Sequence, residues 1–525
     1  MTVLFKDAVF HSGTSEEDSF SYMAVKDGRI AGTYRERPDG KFKEVSLGGK
    51  HVYPCLIDGH VHMLYTIAVM AMGFDICRIT ENGVFPDTLA GIEKEIRGFC
   101  EGKSKDSVIA ANNYIQTAID AGRLPNRREL DDWAGGRAIV IYSIDGHSTA
   151  LSSAMLRKIG IDPETSDGIL TGEENERNQG KLTDIIASQI TLPVLADGIA
   201  KFQNTCAAYG ISAVGALEGN GDSEKDSTTP LIMRLARHFD IDVRFYLQYM
   251  DVERAEKLSK MQKRRRIGGC GDWEMDGSVG SHSAAFAAPY KDSGEKKECY
   301  YSREFVGAKV LEADSKGFQI ASHAIGGRAI DRIAEALNST GSGTFHRIEH
   351  IEFIENGTLE KLQPEKYALM MQPGYAWIDA KYLHTYENYL NTEILGSMKL
   401  KTYLDRGMCL CASSDTPVQA LDPYLQMLGM RDFRIKEESL SAYEAFRAYT
   451  LNPARAMLEE EDRGSLEKGK FADFFTADRD LFKLSPEETV DFRPAATYYR
   501  GRKYKEKKGT VAELLAMMLS APKKV

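Results

Sequence analysis

Two histidines separated by one residue, His60-Val61-His62, close an apolar run that begins at Tyr53. In an extended strand residues i and i+2 point to the same side. The two imidazoles can therefore share one cation. Later apolar runs end in groups of matching chemistry: His323, Glu349-His350, and Ser414-Asp415-Thr416-Pro417. Imidazole and carboxylate are suitable ligands for Zn²⁺ or a similar divalent ion. An isolated His-x-His is weak evidence, because a structural pair is common. Here the chain holds 11 His in all, and His60, His62, His323 and His350 all fall at predicted strand ends, so a shared metal site is the expectation.

Such residues need a scaffold that brings distant strand ends together. The middle of the chain alternates strand-like and helical stretches, the pattern of a parallel α/β barrel, whose strand ends converge on one rim. Eight strands are predicted: 53–61, 212–218, 243–248, 273–276, 319–323, 347–352, 368–372 and 408–413. The first two are too far apart for one crossover helix. An inserted subdomain, at about 66–200, is expected there, with strands at 108–111 and 138–143. Short strands also mark both ends of the chain, and Asp27-Gly28 between two apolar runs predicts a hairpin turn. The expected architecture is α/β: a (β/α)8 TIM-like barrel over 55–461, a long insertion after its first strand, and a small composite β-sandwich domain from 1–54 and 462–525.

Composition fits a globular enzyme, with 42% hydrophobic and 27% charged residues. The formal charge of −10 argues against nucleic acid or an anionic membrane surface as a partner, since both select a basic face. The basic run Lys263-Arg264-Arg265-Arg266 reads as a solvated surface segment. The eight Cys form no dense framework, and Cys409 and Cys411 read as buried core. No basic, apolar leader begins the sequence, and no apolar run nears ~20 residues. A cytoplasmic location is the expectation.

The order of motifs resembles the amidohydrolase superfamily, and within it the branch of N-substituted formamide deformylase-like metal-dependent hydrolases. The resemblance rests on Pro54-Cys55-Leu56-Ile57-Asp58-Gly59-His60-Val61-His62, Asp145-Gly146-His147-Ser148, Asp276-Gly277-Ser278-Val279-Gly280-Ser281, His323-Ala324-Ile325-Gly326, Arg347-Ile348-Glu349-His350 and Ser414-Asp415-Thr416-Pro417. Tyr449-Thr450-Leu451-Asn452-Pro453-Ala454 and the stretch from Gly464 to Asp473 extend it. It implies one or two divalent ions, zinc foremost, held by His60, His62, His323, His350 and Asp415. It also implies a metal-activated water that attacks a C–N bond of an amide or N-formyl group, with Asp415 as proton shuttle. A small-molecule substrate and, by analogy, a homodimer follow. The alternative is a barrel of the same superfamily with an isomerase, decarboxylase or binding role.

The sequence departs from the resemblance at one ligand. Many members bridge two ions with a carboxylated lysine on the fourth strand, and Asp272 stands at that place. Glu218, at the end of the second strand, is favoured as the replacement over Asp272, with a mononuclear site as the third option. His147 is expected over the active site as a substrate or oxyanion contact. Ser281, His282, Tyr375, Trp377 and Asn113 are candidate substrate contacts. Asp58 is placed to orient His60, and Glu349, pointing away from the metal face, to act behind the ligands.

Overall fold

The computed structural model describes residues 2–80, 83–144, 146–219, 221, 226 and 228–523. Asp145 of the Asp-Gly-His-Ser motif lies outside them. At the centre run eight parallel strands: β1 (Leu56–Val61), β2 (Ile211–Glu218), β3 (Asp242–Leu247), β4 (Arg266–Glu274), β5 (Gln319–Ala324), β6 (His346–His350), β7 (Tyr367–Met371) and β8 (Cys409–Ala412). They pair in sequence order from β1 to β8. Most read as near-continuous apolar runs because helices cover one face and the barrel interior the other.

A parallel bridge between Val61 and Thr416 joins the two ends of this sheet. Two backbone bonds reinforce the seam: His62 N–H donates to the Thr416 carbonyl (2.9 Å) and Asp415 N–H to the His60 carbonyl (3.0 Å). Closure of the barrel thus sets Asp415 directly beside the His-x-His pair.

The fourth strand corrects the sequence expectation. It begins at Arg266 rather than at 273. The run Gly268-Gly269-Cys270-Gly271 looks like a loop in sequence, yet its glycines answer to packing. A Cβ on Gly268 would lie 1.8 Å from the Ala321 carbonyl oxygen of β5, and φ there is +109°. Only glycine suits such a backbone. Arg266 is correspondingly inside the protein, 1% exposed, with its guanidinium donating to the Met457 carbonyl at 2.9 Å. Lys263, Arg264 and Arg265 are exposed as expected.

The insertion carries its own sheet, built on Val108–Tyr114 and Ala138–Ser143, with Ser148–Leu151, Ile169–Thr171 and Phe74–Asp75 beside them. Its helices bury two separate apolar cores around it. Strands from both termini meet in a further sheet, where Lys43–Pro54 pairs with Val3–His11 on one side and Phe474–Ala477 on the other. The hydrogen bonds follow one continuous path of seven strands, with an eighth, Ser19–Phe20, pairing beside Val3–His11 off that path. Asp27 and Gly28 (φ +52° and +78°) make the predicted tight turn. Among the described residues no helix is long and apolar enough to cross a membrane.

Candidate metal centre

His60 on β1 and His62, one residue past its end, both aim their Nε2 atoms at one carboxylate oxygen. Asp415 Oδ1 lies 3.1 Å from His60 and 3.2 Å from His62, and it makes no hydrogen bond although buried. Metal–ligand bonds of about 2.0–2.1 Å at tetrahedral angles put ligand atoms about 3.4 Å apart. Both imidazole nitrogens therefore stand near ligand spacing from the Asp415 oxygen, and the three atoms form a group that could hold one ion.

The remaining ring nitrogen of His60 fixes its orientation. Nδ1 lies 2.7 Å from Glu349 Oε2, and Glu349 in turn accepts two bonds of 2.7 Å from the Arg347 guanidinium. Carboxylate support of this kind sets the ring's tautomer and raises ligand basicity. Asp58 accepts the His60 backbone N–H at 3.4 Å, as expected, and both of its oxygens accept the Ser414 N–H at 3.1 Å, so it also anchors the turn that presents Asp415. His350 is held the same way, its Nδ1 2.7 Å from Gln372 Oε1, while Gln372 Nε2 donates to Ser413 Oγ at 2.9 Å.

The electrostatics favour a cation here. Burial penalises charge on His60, but Asp415 and Glu349 outweigh it and raise the imidazole to about 9. Burial opposes charge on Asp415 as well, yet His60 and His62 hold its carboxyl well below the usual range. Burial likewise would lift Glu349, and Arg347 with His60 hold it at about 2. His323 and His350 lie in the opposite regime. Burial first, then neighbouring imidazoles, pushes His323 well below its ordinary value and His350 to about 4. Both are neutral at pH 7 and offer lone pairs.

The backbone is strained where two of the candidate ligands leave their strands. His350 (φ +67°) and Asp415 (φ +58°) both occupy the left-handed region, which for non-glycine residues costs about 1–3 kcal/mol and concentrates at functional sites.

A residue that the sequence reading passed over sits among these groups. Cys270 Sγ on β4 lies 3.7 Å from His60 Nε2, 3.9 Å from His350 Nε2 and 4.0 Å from His323 Nδ1. Glu274, on the same strand, groups with Cys270 and His323. The favoured alternatives go elsewhere. Glu218 Oε1 accepts the Leu64 N–H at 2.9 Å, at the start of the helix Met63–Met72. Asp272 accepts the Met250 N–H. Neither joins a potential ligand group among the described residues.

Sequence comparison agrees with this architecture. The profile of the Amidohydrolase family matches residues 43–503. The chain belongs to the amidohydrolase family. It is 23% identical to the putative amidohydrolase YtcJ of Bacillus subtilis, over 91% of this chain and 96% of that protein. It is 25% identical to the N-substituted formamide deformylase of Arthrobacter pascens, over 91% of this chain and 94% of that one. Its fold is similar to that of an uncharacterized metal-dependent hydrolase from Pyrococcus furiosus (TM-score 0.70, 22% identity), covering 92% of this chain and all of that one.

In this amidohydrolase a cleft opens above the strand ends, with Asp415, His350 and Gln372 in its lining. His147, from the insertion, reaches its wall, and its ring centroid is 5.3 Å from that of His323. Tyr375 also lines the cleft, as do Ser278 to Gly280. Ser281 stands just behind them, its Oγ 3.0 Å from Ser278 Oγ.

Three sequence candidates are placed away from the lining. His282 Nε2 pairs with Asp292 Oδ2 at 2.8 Å, its ring against Tyr389. Trp377 packs on the insertion's core and donates to Asp432 Oδ2 at 2.9 Å. Asn113 belongs to the strand Val108–Tyr114 of the insertion. In their place the cleft gains Glu352, Tyr386 and Gln419. Burial pushes the Glu352 carboxyl up to about 7, although the Tyr386 hydroxyl donates to it. These residues come from loops and helices after β6, β7 and β8, where sequence pattern does not fix direction.

Proposed function

We propose that this amidohydrolase is a metal-dependent hydrolase that cleaves the C–N bond of a small amide-like substrate, with an N-formyl or N-acyl group as the reacting centre. One observation carries the reading: four imidazoles and a carboxylate converge at the floor of a cleft, with a buried Asp415 oxygen that makes no hydrogen bond but faces two imidazole nitrogens. His60, His62 and Asp415 are the ligands of one ion, and His323 and His350 hold a second or complete the first. Zinc is the expected metal, given the nitrogen-rich donor set. When bound, it lowers the acidity barrier of water and polarises the scissile carbonyl.

The chain's own residues do the rest. Asp415 stays ionised at neutral pH and lines the cleft. It takes a proton from the attacking water and hands it to the leaving nitrogen. His147, against His323 at the cleft wall, donates to the oxygen on which charge develops. Glu349 and Gln372 keep His60 and His350 in register so that no reorganisation accompanies the reaction. Tyr375, Tyr386 and Glu352 enclose the substrate's remaining part, offering two aromatic faces and one titratable contact.

The test is a panel of N-formyl, N-acyl and aryl amides assayed with protein loaded with zinc and with chelator-stripped protein. Metal-dependent release of amine from some member is expected. Activity that survives quantitative removal of metal would overturn the proposal. Asp415→Asn should lower kcat by about 10²–10⁴-fold, the usual worth of a positioned acid–base group.

A further inference from the structure

We propose that Cys270, as a thiolate, is the bridging metal ligand of this chain. The inference rests on the metal-dependent reading above. It begins from the position of Sγ among three rings: 3.7 Å from His60, 3.9 Å from His350 and 4.0 Å from His323. These separations are long for hydrogen bonds to nitrogen. They approach the spacing of shared coordination, since metal–sulfur bonds of about 2.3 Å and metal–nitrogen bonds of about 2.0–2.1 Å at tetrahedral angles give about 3.6 Å.

The neighbours are committed in a way that leaves the sulfur side to a cation. Nδ1 of His60 is engaged by Glu349 and Nδ1 of His350 by Gln372. Each ring therefore keeps its Nε2 on the side where Cys270 stands, that of His60 shared with Asp415. Among the described residues Cys270 belongs to both of the groups that could hold an ion on its side, one with His60 and His350 and one with Glu274 and His323. His60 also belongs to the group with His62 and Asp415. A single sulfur thus stands between His60, which the two groups share, and His323 of β5, which is where a bridge must be.

The strand is shaped for it. Gly269 and Gly271 flank Cys270 at φ +119° and +71°, and the register between β4 and β5 shifts between Gly269 and Glu274. The ladder is interrupted where the thiol turns inward, as bulges do beside active sites. No carboxylated lysine is needed, because a thiolate brings the same single negative charge. On binding, the S–H bond breaks, its proton leaves to solvent, and the sulfur lone pairs enter the metal–sulfur bonds. Nothing is oxidised or reduced. A thiolate bridge also selects softer ions, so zinc and cobalt should bind far better than magnesium or manganese.

Cobalt reports the sulfur directly. The full chain is stripped with chelator and titrated with Co²⁺. We expect a near-ultraviolet thiolate-to-cobalt charge-transfer band in the wild type and in a control, Cys100→Ser, in the insertion. Cys270→Ser should lack the band and bind cobalt at least about 100-fold more weakly, beyond the 10–100-fold typical for losing an outer support. In the wild type alone, iodoacetamide should modify Cys270 in the stripped protein and be excluded once cobalt is bound, which decides the matter even if the variant does not fold. Full cobalt occupancy with no charge-transfer band, or equal labelling of Cys270 with and without metal, would overturn the bridge while leaving the histidine site standing. Failure of the wild type to bind cobalt or zinc would overturn the metal reading and the bridge together.

Discussion

Glu349→Gln tests whether the Arg347–Glu349–His60 chain governs the metal centre. Arg347 and Glu349 are both 0% exposed. The carboxylate accepts two guanidinium bonds and one imidazole bond, each 2.7 Å. Glutamine retains one oxygen, so its amide nitrogen must face a donor and Arg347 becomes a buried charge without its counter-ion. Breaking such a pair costs about 3–5 kcal/mol. A second route gives the same scale. The carboxyl is held at about 2 in place of its ordinary 4.5, which at about 1.4 kcal/mol per tenfold change in acidity is about 3 kcal/mol. Because the folded value is depressed, this stabilisation is fully present above pH 4.5 and is lost as pH falls toward 2. Chemical denaturation of metal-stripped protein should therefore show a large gap between wild type and variant at pH 7 that narrows at pH 3. Zinc affinity, measured by competition with a chromophoric chelator, should fall about 10–100-fold, as it does when support behind a ligating histidine is lost. Unchanged zinc affinity in a folded variant would refute the idea that Glu349 positions a metal-binding His60.

Other residues make separate predictions. Glu218 is buried, and burial raises its carboxyl from 4.5 to about 8. Its stabilisation is complete below pH 4.5 and disappears as pH rises through 8. Glu218→Gln should thus gain on the wild type by a few kcal/mol between pH 6 and pH 9, with zinc stoichiometry unchanged; parallel stability–pH curves would contradict this. Gly268→Ala should fail to accumulate as folded protein, because its Cβ would meet the Ala321 carbonyl at 1.8 Å, and normal expression with native circular dichroism would count against the packing of β4. Glu352→Gln should remove a transition near pH 7 from the pH profile of KM, since the wild-type carboxyl titrates at about 7; a transition that persists assigns it to another group.

The parts of the site that were legible in sequence are those where direction follows from period. His60 and His62 share a face because strands alternate, and the strand ends of a parallel barrel meet on one rim. The seam that sets Asp415 against His60 was not visible, since it depends on barrel closure. The fourth strand was misplaced because glycines that accommodate close packing look the same as glycines that make turns. Cys270 was hidden by that error, for a cysteine in an assumed loop has no defined face. Arg266 was misread for the same reason. Glu218 carried a correct observation, a buried acid ending a strand, whose partner proved to be a backbone N–H at a helix start. The cleft walls were least predictable. His147 and Tyr375 line them while His282, Trp377 and Asn113 do not, because loops between strands and helices obey no period.

The bridge between Val61 and Thr416 has a consequence for how the protein is made. The residues proposed to hold the metal are spread from position 60 to position 415, and the last of them reaches its place only when the final strand docks against the first. A nascent chain emerging from the ribosome cannot capture its ion until nearly the whole barrel exists. On the proposed ligand set, metal loading would be a late event that locks the first strand to the last, and the free energy of ion binding would add to that of closure. Removing the ion should loosen this join before any other part of the barrel, which gives the centre a second role as a clasp.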